Sequence, residues 1–156
     1  HELTSRSGKA AKACVNLLES KGLYEGLAAD VERIAGRLLS DIEYNIHVEG
    51  SDNLDSLDPK TQIGVALFFK ECLANVIRHS GATHVTANLD ATPTELVLTV
   101  TDNGKGLPSK ESGVTRTSPE SLKRRARLLR GTVFTTERPE GGTRITLRTK
   151  TKSWWF

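Results

Sequence analysis

Three polar side chains stand at intervals of four in the stretch KECLANVIRHSGA: Glu71, Asn75 and His79. Positions i, i+4 and i+8 of a helix lie along one stripe. The residues around them, Leu73, Val76 and Ile77, are apolar enough to pack. An acid, an amide and an imidazole in such a row need something polar to face. A second stretch, TDNGKGLP, ends an apolar run with Asp102 followed by Gly104 and Gly106. Glycines let a backbone approach a ligand closely, and a carboxylate at a strand end can accept hydrogen bonds from an exocyclic amine. Taken alone, Asp-Asn-Gly is also ordinary turn chemistry, and His79 alone reads as a histidine at a helix end. A third stretch, SRSGKA, imitates a phosphate loop. Leu3 stands where that loop needs its first glycine and Ala10 where it needs a hydroxyl, so it reads as the end of an upstream helix.

These residues need elements to position them. Leu23, Leu27, Val31, Ile34 and Leu38 recur at helical spacing and predict an amphipathic helix over 22–41. Ile42, Tyr44, Ile46 and Val48 alternate as in a strand, and GSDNLDSLDPK is turn-rich. Asp58 as N-cap and Pro59 at the first helical position start a helix that carries the polar stripe and stops at Gly81. Val85, Ala87 and Leu89, a turn over 90–94, then Leu96, Leu98 and Val100 predict a hairpin. Residues 108–119 show no periodicity, and a loop of that length is uncommon unless functional or mobile. Leu122, Ala126 and Leu129 predict a helix ending near Gly131. TVFTTERPEGGTRITLRT predicts a closing hairpin bent at Pro139 and Gly141-Gly142. The tail KTKSWWF reads as a docking tail or a frayed end. This order of elements predicts an α+β fold, a two-layer sandwich with a mixed β-sheet covered on one face by helices.

A chain of 156 residues, 37% apolar and 26% charged, suits one soluble domain with a real core. No run is long enough to span a bilayer, and no signal-peptide pattern is visible. Cys14 and Cys72 form no CxxC and fall in helical patterns, as reduced core residues of a cytoplasmic protein would. The net charge of +3 is concentrated in LKRRARLLR, at Lys123, Arg124, Arg125, Arg127 and Arg130. Without exposed aromatics interleaved, that run reads as a solvated helix face, and no nucleic-acid partner is expected.

The polar stripe, the hairpin, Asp102-x-Gly104-x-Gly106, the loop and Gly141-Gly142-Thr143 together resemble one family. They look like the N box and glycine boxes of the ATP-binding fold shared by gyrase, heat-shock chaperones, mismatch-repair ATPases and sensor histidine kinases. FFKECLANVIRHSGA and LKRRARLLRGTV are most similar to kinases of the nitrate-sensor type, and the likeness runs from Leu17 to Arg148. The resemblance implies that the stripe faces Mg-ATP, the cofactors being ATP and Mg2+. Asn75 would be the metal ligand, a neutral oxygen donor suited to a hard cation that already carries phosphate charge. Glu71 would be the catalytic residue, orienting a metal-bound water or handling a proton. Arg78 and His79 would lie along the phosphates. Asp102 would accept from the adenine amino group with Thr143 supporting it through water. Gly104 and Gly106 would let a mobile ATP lid fold over the nucleotide.

Two features depart from the family pattern. Ser118 and Ser121, with Pro119 between them, stand where a second glycine-rich box is expected, leaving Gly113 as the one glycine of the lid. Serines can donate to phosphate, but backbone amides approach less closely beside them. His1, followed by Glu2, imitates a phosphoacceptor, yet it stands too near Leu17 for the helical hairpin such a histidine needs, and it reads as incidental. The expected organisation is the end of an upstream helical linker over 1–16, a histidine-kinase-like ATP-binding domain over 17–149 and a tail over 150–156. The expected function is the catalytic domain of a two-component sensor histidine kinase. It would phosphorylate a histidine on a dimerisation domain outside this chain and signal to a response regulator. The full-length protein would be a homodimer, with no membrane contact within this chain. The alternative is a nucleotide-binding but catalytically degenerate regulatory module; a third possibility is a basic domain that binds protein or nucleic acid without nucleotide.

Overall fold

The computed structural model describes residues 26–105, 115–116 and 118–151. His1, the motif at 5–10, Cys14, Gly106, most of the expected lid at 108–119 and the aromatic tail lie outside them.

Helix α1 (Leu27–Leu38) buries Leu27, Val31 and Ile34, the stripe that its periodicity predicts. It leads into strand β1 (Glu43–Glu49), whose Tyr44 is buried and whose Glu43, Asn45, His47 and Glu49 are exposed. The next segment departs from the expected turn: Ser51–Asp55 forms a short helix, α2. Leu54 is buried and Asn53 donates to the Ala91 carbonyl at 3.2 Å, so tertiary contact holds a helix that local propensity does not. Helix α3 (Pro59–His79) starts as expected. The Asp58 carboxylate accepts from the Thr61 N–H at 2.7 Å, and Pro59 gives up a donor that the first turn cannot use. It buries Val65, Phe68, Phe69, Cys72, Leu73 and Val76 and ends at Ser80, followed by Gly81 at φ +65°.

Strands β2 (His84–Ala91) and β3 (Glu95–Asp102) form the first hairpin. Two-residue strand β4 (Thr115–Arg116) and helix α4 (Glu120–Leu128) follow, then the hairpin of β5 (Thr132–Glu137) and β6 (Thr143–Lys150). The sheet runs β1-β2-β3-β6-β5-β4. The β1–β2 pair is parallel and the others are antiparallel, so the sheet is mixed as expected. Helices α1 and α4 both pack against α3. A methyl at Gly64 would meet Leu129 Cδ2, just past the end of α4, at 2.6 Å, so a side chain there would require Leu129 to move.

One face of the sheet carries Val85, Ala87, Leu89, Leu96, Leu98, Val100, Ile145 and Leu147 into the core beneath the helices. Side chains of a strand alternate between faces, so this apolar row on β3 continues onto Asp102 and the row on β6 begins at Thr143. Register places Val100 opposite Ile145, with Thr135 of β5 on the other side of Ile145. The core face thus turns polar at one end, and α3 passes over that end with its own polar stripe. Among the described residues no helix is long and apolar enough to cross a membrane.

Candidate functional site

Between the C-terminal half of α3 and the polar end of the sheet lies a cleft of about 440 Å³. Asn75, Val76 and His79 line it from the helix, Asp102 and Thr143 from the sheet, with Pro119 at the start of α4. Its walls are mainly apolar with a few polar groups, the usual make-up of a small-molecule site.

Asp102 is the one carboxyl group among the residues that line the cleft, and it is buried, at 5% exposure. Burial pushes its carboxyl above the usual carboxylate range. Hydrogen bonds from the backbone N–H groups of Gly104 and Thr143, and the positive charge of Arg138, pull the other way. The Gly104 N–H lies 2.8 Å from Oδ1. Thr143 therefore supports Asp102 directly through its backbone, beyond the water-mediated support expected of it. Its neighbour Asn103 is spent on structure, accepting from the Thr83 and His84 N–H groups at 2.9 Å each.

The stripe on α3 divides. Asn75 and His79 face the cleft. Glu71 is half-buried beside it and pairs with Arg78 at 3.5 Å. The same guanidinium donates to Asn75 Oδ1 at 2.8 Å, while Asn75 Nδ2 is buried without a hydrogen-bond partner. Cys72, deeper on the same helix, is fully buried, and burial pushes its thiol up, leaving it an inert core group.

Four of the site's features depend on contacts that no local pattern displays. A methyl on Gly104 would meet the Ser80 carbonyl oxygen at 2.4 Å. Gly104 is therefore needed first to seat the loop on the end of α3, where the Lys105 N–H also donates to Ser80 at 2.8 Å. Gly142, at φ +95°, packs so closely that a methyl would lie 1.9 Å from the Asp102 carbonyl oxygen. Arg138, on the same bend, donates to that carbonyl at 3.1 Å; sequence reasoning gave it no role. Ser118 is buried and shares a 2.7 Å hydrogen bond with Thr135, so its hydroxyl is engaged with the sheet rather than presented to a ligand.

Residues 60–153 match the family model described as histidine kinase-, DNA gyrase B-, and HSP90-like ATPase. The sensor histidine kinase LiaS of Bacillus subtilis is 30% identical over 131 residues, 84% of this chain and 35% of that protein. The chain spans about a third or less of the length of the curated relatives it matches. Among solved structures, the ATP-binding domain of PrrB from Mycobacterium tuberculosis superimposes with a TM-score of 0.62 at 23% identity. That alignment covers 82% of this chain and 96% of that one. The blue-light activated histidine kinase EL346 of Erythrobacter litoralis gives 0.64 at 19% identity, covering 88% and 47%. At those identities the likeness is one of fold. The family match, spanning well over half the chain and taking in both the α3 stripe and the Asp102 loop, shows that this chain belongs to the histidine kinase-, DNA gyrase B- and HSP90-like ATPases.

Proposed function

We propose that this chain is the catalytic domain of a two-component sensor histidine kinase, transferring the γ-phosphate of ATP to a histidine on a dimerisation domain. The observation that carries the reading is the buried Asp102 carboxyl group in a mainly apolar cleft that the amide of Asn75 also lines, from α3. In this reading Asp102 accepts from the adenine amino group, with the Thr143 hydroxyl adding support through water. Asn75 lends its amide oxygen to a magnesium ion held mainly by the nucleotide. Among the described residues no cluster of three or more His, Cys, Asp or Glu could hold a metal alone, which suits a cation that arrives with phosphate ligands. When bound, magnesium would neutralise phosphate charge, the main requirement of phosphoryl transfer besides positioning. Arg78 and His79 lie along the phosphates, Glu71 orients a water or handles a proton, and Gly104 and Gly106 let the following loop fold over the nucleotide. The dimerisation domain, a response regulator, a homodimeric full-length protein and a cytoplasmic setting belong to the same reading.

The test is calorimetric titration with ATP and ADP, with and without magnesium, followed by incubation with labelled ATP and a supplied dimerisation domain. Magnesium-dependent binding and acid-labile label on the added domain are expected. Absence of nucleotide binding would overturn the reading. Binding without transfer would favour a second one, a catalytically degenerate module that signals through protein contacts. The engagement of Ser118 with Thr135, where the family has glycine, is the observation on that side.

A further inference from the structure

We propose that Arg138 is a positioning residue for base recognition, tying the β5–β6 bend to the end of β3 so that the Asp102 carboxylate is fixed within the cleft. This rests on the reading that Asp102 receives the adenine amino group. Four contacts carry it. Arg138 Nη1 donates to the Asp102 carbonyl at 3.1 Å, and Nη2 pairs with Glu140 at 3.0 Å, which aims the guanidinium. The backbone of Arg138 closes the bend, donating to the Gly142 carbonyl at 3.0 Å and accepting from the Gly141 N–H at 3.1 Å. Gly142 then lies against the Asp102 carbonyl with no room for a methyl group. The bend and the end of β3 are in direct contact, and Arg138 is the charged group that clamps them.

The clamp has an electrostatic consequence that a plain turn residue would not have. The titratable and charged groups nearest Asp102 along the elements around it are Glu71, Cys72, Arg78 and His79 on α3, His84 at the start of β2, Lys105 beyond β3, Glu137, Arg138 and Glu140 on β5 and its bend, and Arg144 on β6. Of these, Arg138 is the charge that pulls the Asp102 carboxyl downward against burial. A carboxylate accepts from an amine; a protonated carboxyl offers a competing donor. Arg138 thus adds its charge to the Gly104 and Thr143 hydrogen bonds that favour the form of Asp102 that reads the base, while its clamp holds the end of β3 in place.

The experiment measures binding of ATP and of inosine triphosphate, which lacks the amino group, from pH 5 to pH 8. Wild type is compared with Arg138→Gln, Arg138→Lys and, as a control for the imidazole, His79→Gln, and melting temperature is recorded for each. Arg138→Gln should lose roughly three- to tenfold in ATP affinity at neutral pH, with little change for inosine triphosphate. The acid limb of its ATP binding should move to higher pH, because the charge that helps the Gly104 and Thr143 amides pull Asp102 downward is gone. Arg138→Lys should keep the acid limb near that of wild type. A folded Arg138→Gln with an unshifted acid limb and an intact preference for ATP would overturn the proposal. If Arg138→Gln fails to fold, Arg138→Lys decides it: this variant keeps the charge but not the forked pair of donors, so loss of preference for ATP with the acid limb in place supports the proposal, and a match to wild type in both overturns it. A wild type without preference for ATP over inosine triphosphate would overturn the base reading itself, a separate result.

Discussion

The side chain of Asn75 gives its oxygen to Arg78, 2.8 Å away, and turns its nitrogen into the protein, where it has no partner. A guanidinium can only donate, so the amide oxygen must be the atom that faces it. The same guanidinium lies 3.5 Å from Glu71. In the proposed function this oxygen is the metal ligand, so loading the site requires either that Arg78 move to the phosphates or that the amide turn. Arg78 is half exposed, so it is free to swing outward.

Asn75→Ala should therefore weaken Mg-ATP binding on the order of tenfold while changing metal-free nucleotide binding much less. The fold should survive, because the substitution removes a buried donor that already lacks a partner. Isothermal titration with magnesium and with EDTA checks this. Equal losses under both conditions would rule out a ligand role.

Asp102 sets binding against stability. An asparagine there presents a donor where the adenine amine also donates. Asp102→Asn should lose on the order of 1.5–3 kcal/mol of ATP binding, about a tenfold to hundredfold drop. Stability should move the other way with pH. Burial raises the Asp102 pKa, so the folded state holds that proton more tightly than the unfolded chain. The wild type therefore loses stability as pH rises from the ordinary carboxylate value through the raised one. Asparagine does not titrate. The melting temperature of Asp102→Asn relative to wild type should climb across that window and level off above it. The opposite slope would mean that the Gly104 and Thr143 amides and Arg138 outweigh burial.

Gly141 and Gly142 adjoin on one bend, with φ +103° and +95°, but they should respond differently to alanine. At Gly141 a methyl would meet nothing closer than 3.8 Å, which leaves backbone strain of roughly 1–2 kcal/mol. At Gly142 it would strike the Asp102 carbonyl, adding a displacement of β3 to that strain. Gly142→Ala should melt well below Gly141→Ala and, where folded, should lose ATP binding that Gly141→Ala keeps. Thermal melts and nucleotide titration of the two variants decide it. Matched behaviour would mean that the bend is not coupled to Asp102.

What the sequence displayed, and what it withheld, follows from the range of each interaction. Asp58, Pro59 and Gly81 bound α3 through contacts within a few residues, and the alternation in β2, β3, β5 and β6 is a local pattern too. Those elements, with Asp102 at the end of an apolar run, could be read directly. The α2 helix could not, because SDNLD is a turn-like string held in helical form by Leu54 and by Asn53 reaching Ala91, 38 residues away. Arg138 lies 36 residues from the carbonyl it clamps. The placement of β6 between β3 and β5, which brings that clamp to Asp102, appears in no local periodicity.

Ser118 tests whether the departure from glycine is a loss or a structural substitution. Its hydroxyl and that of Thr135 are both buried and 2.7 Å apart, joining the residue before Pro119 to the floor of the cleft. Removing either alone leaves the other hydroxyl buried without its partner. Ser118→Ala and Thr135→Val should each cost about 1–3 kcal/mol, the usual penalty for such an orphan. The double variant should cost clearly less than the sum, because both hydroxyls are then absent. Chemical denaturation of the four proteins gives the coupling directly. Ser118→Gly, which puts there the glycine expected from the family resemblance, should lose stability like Ser118→Ala and gain nothing in affinity for ATP, since the hydroxyl is directed at Thr135. A tighter, magnesium-dependent ATP complex in Ser118→Gly would instead show that the serine obstructs the phosphates. That result would strengthen the reading of this domain as a kinase weakened at its second glycine box.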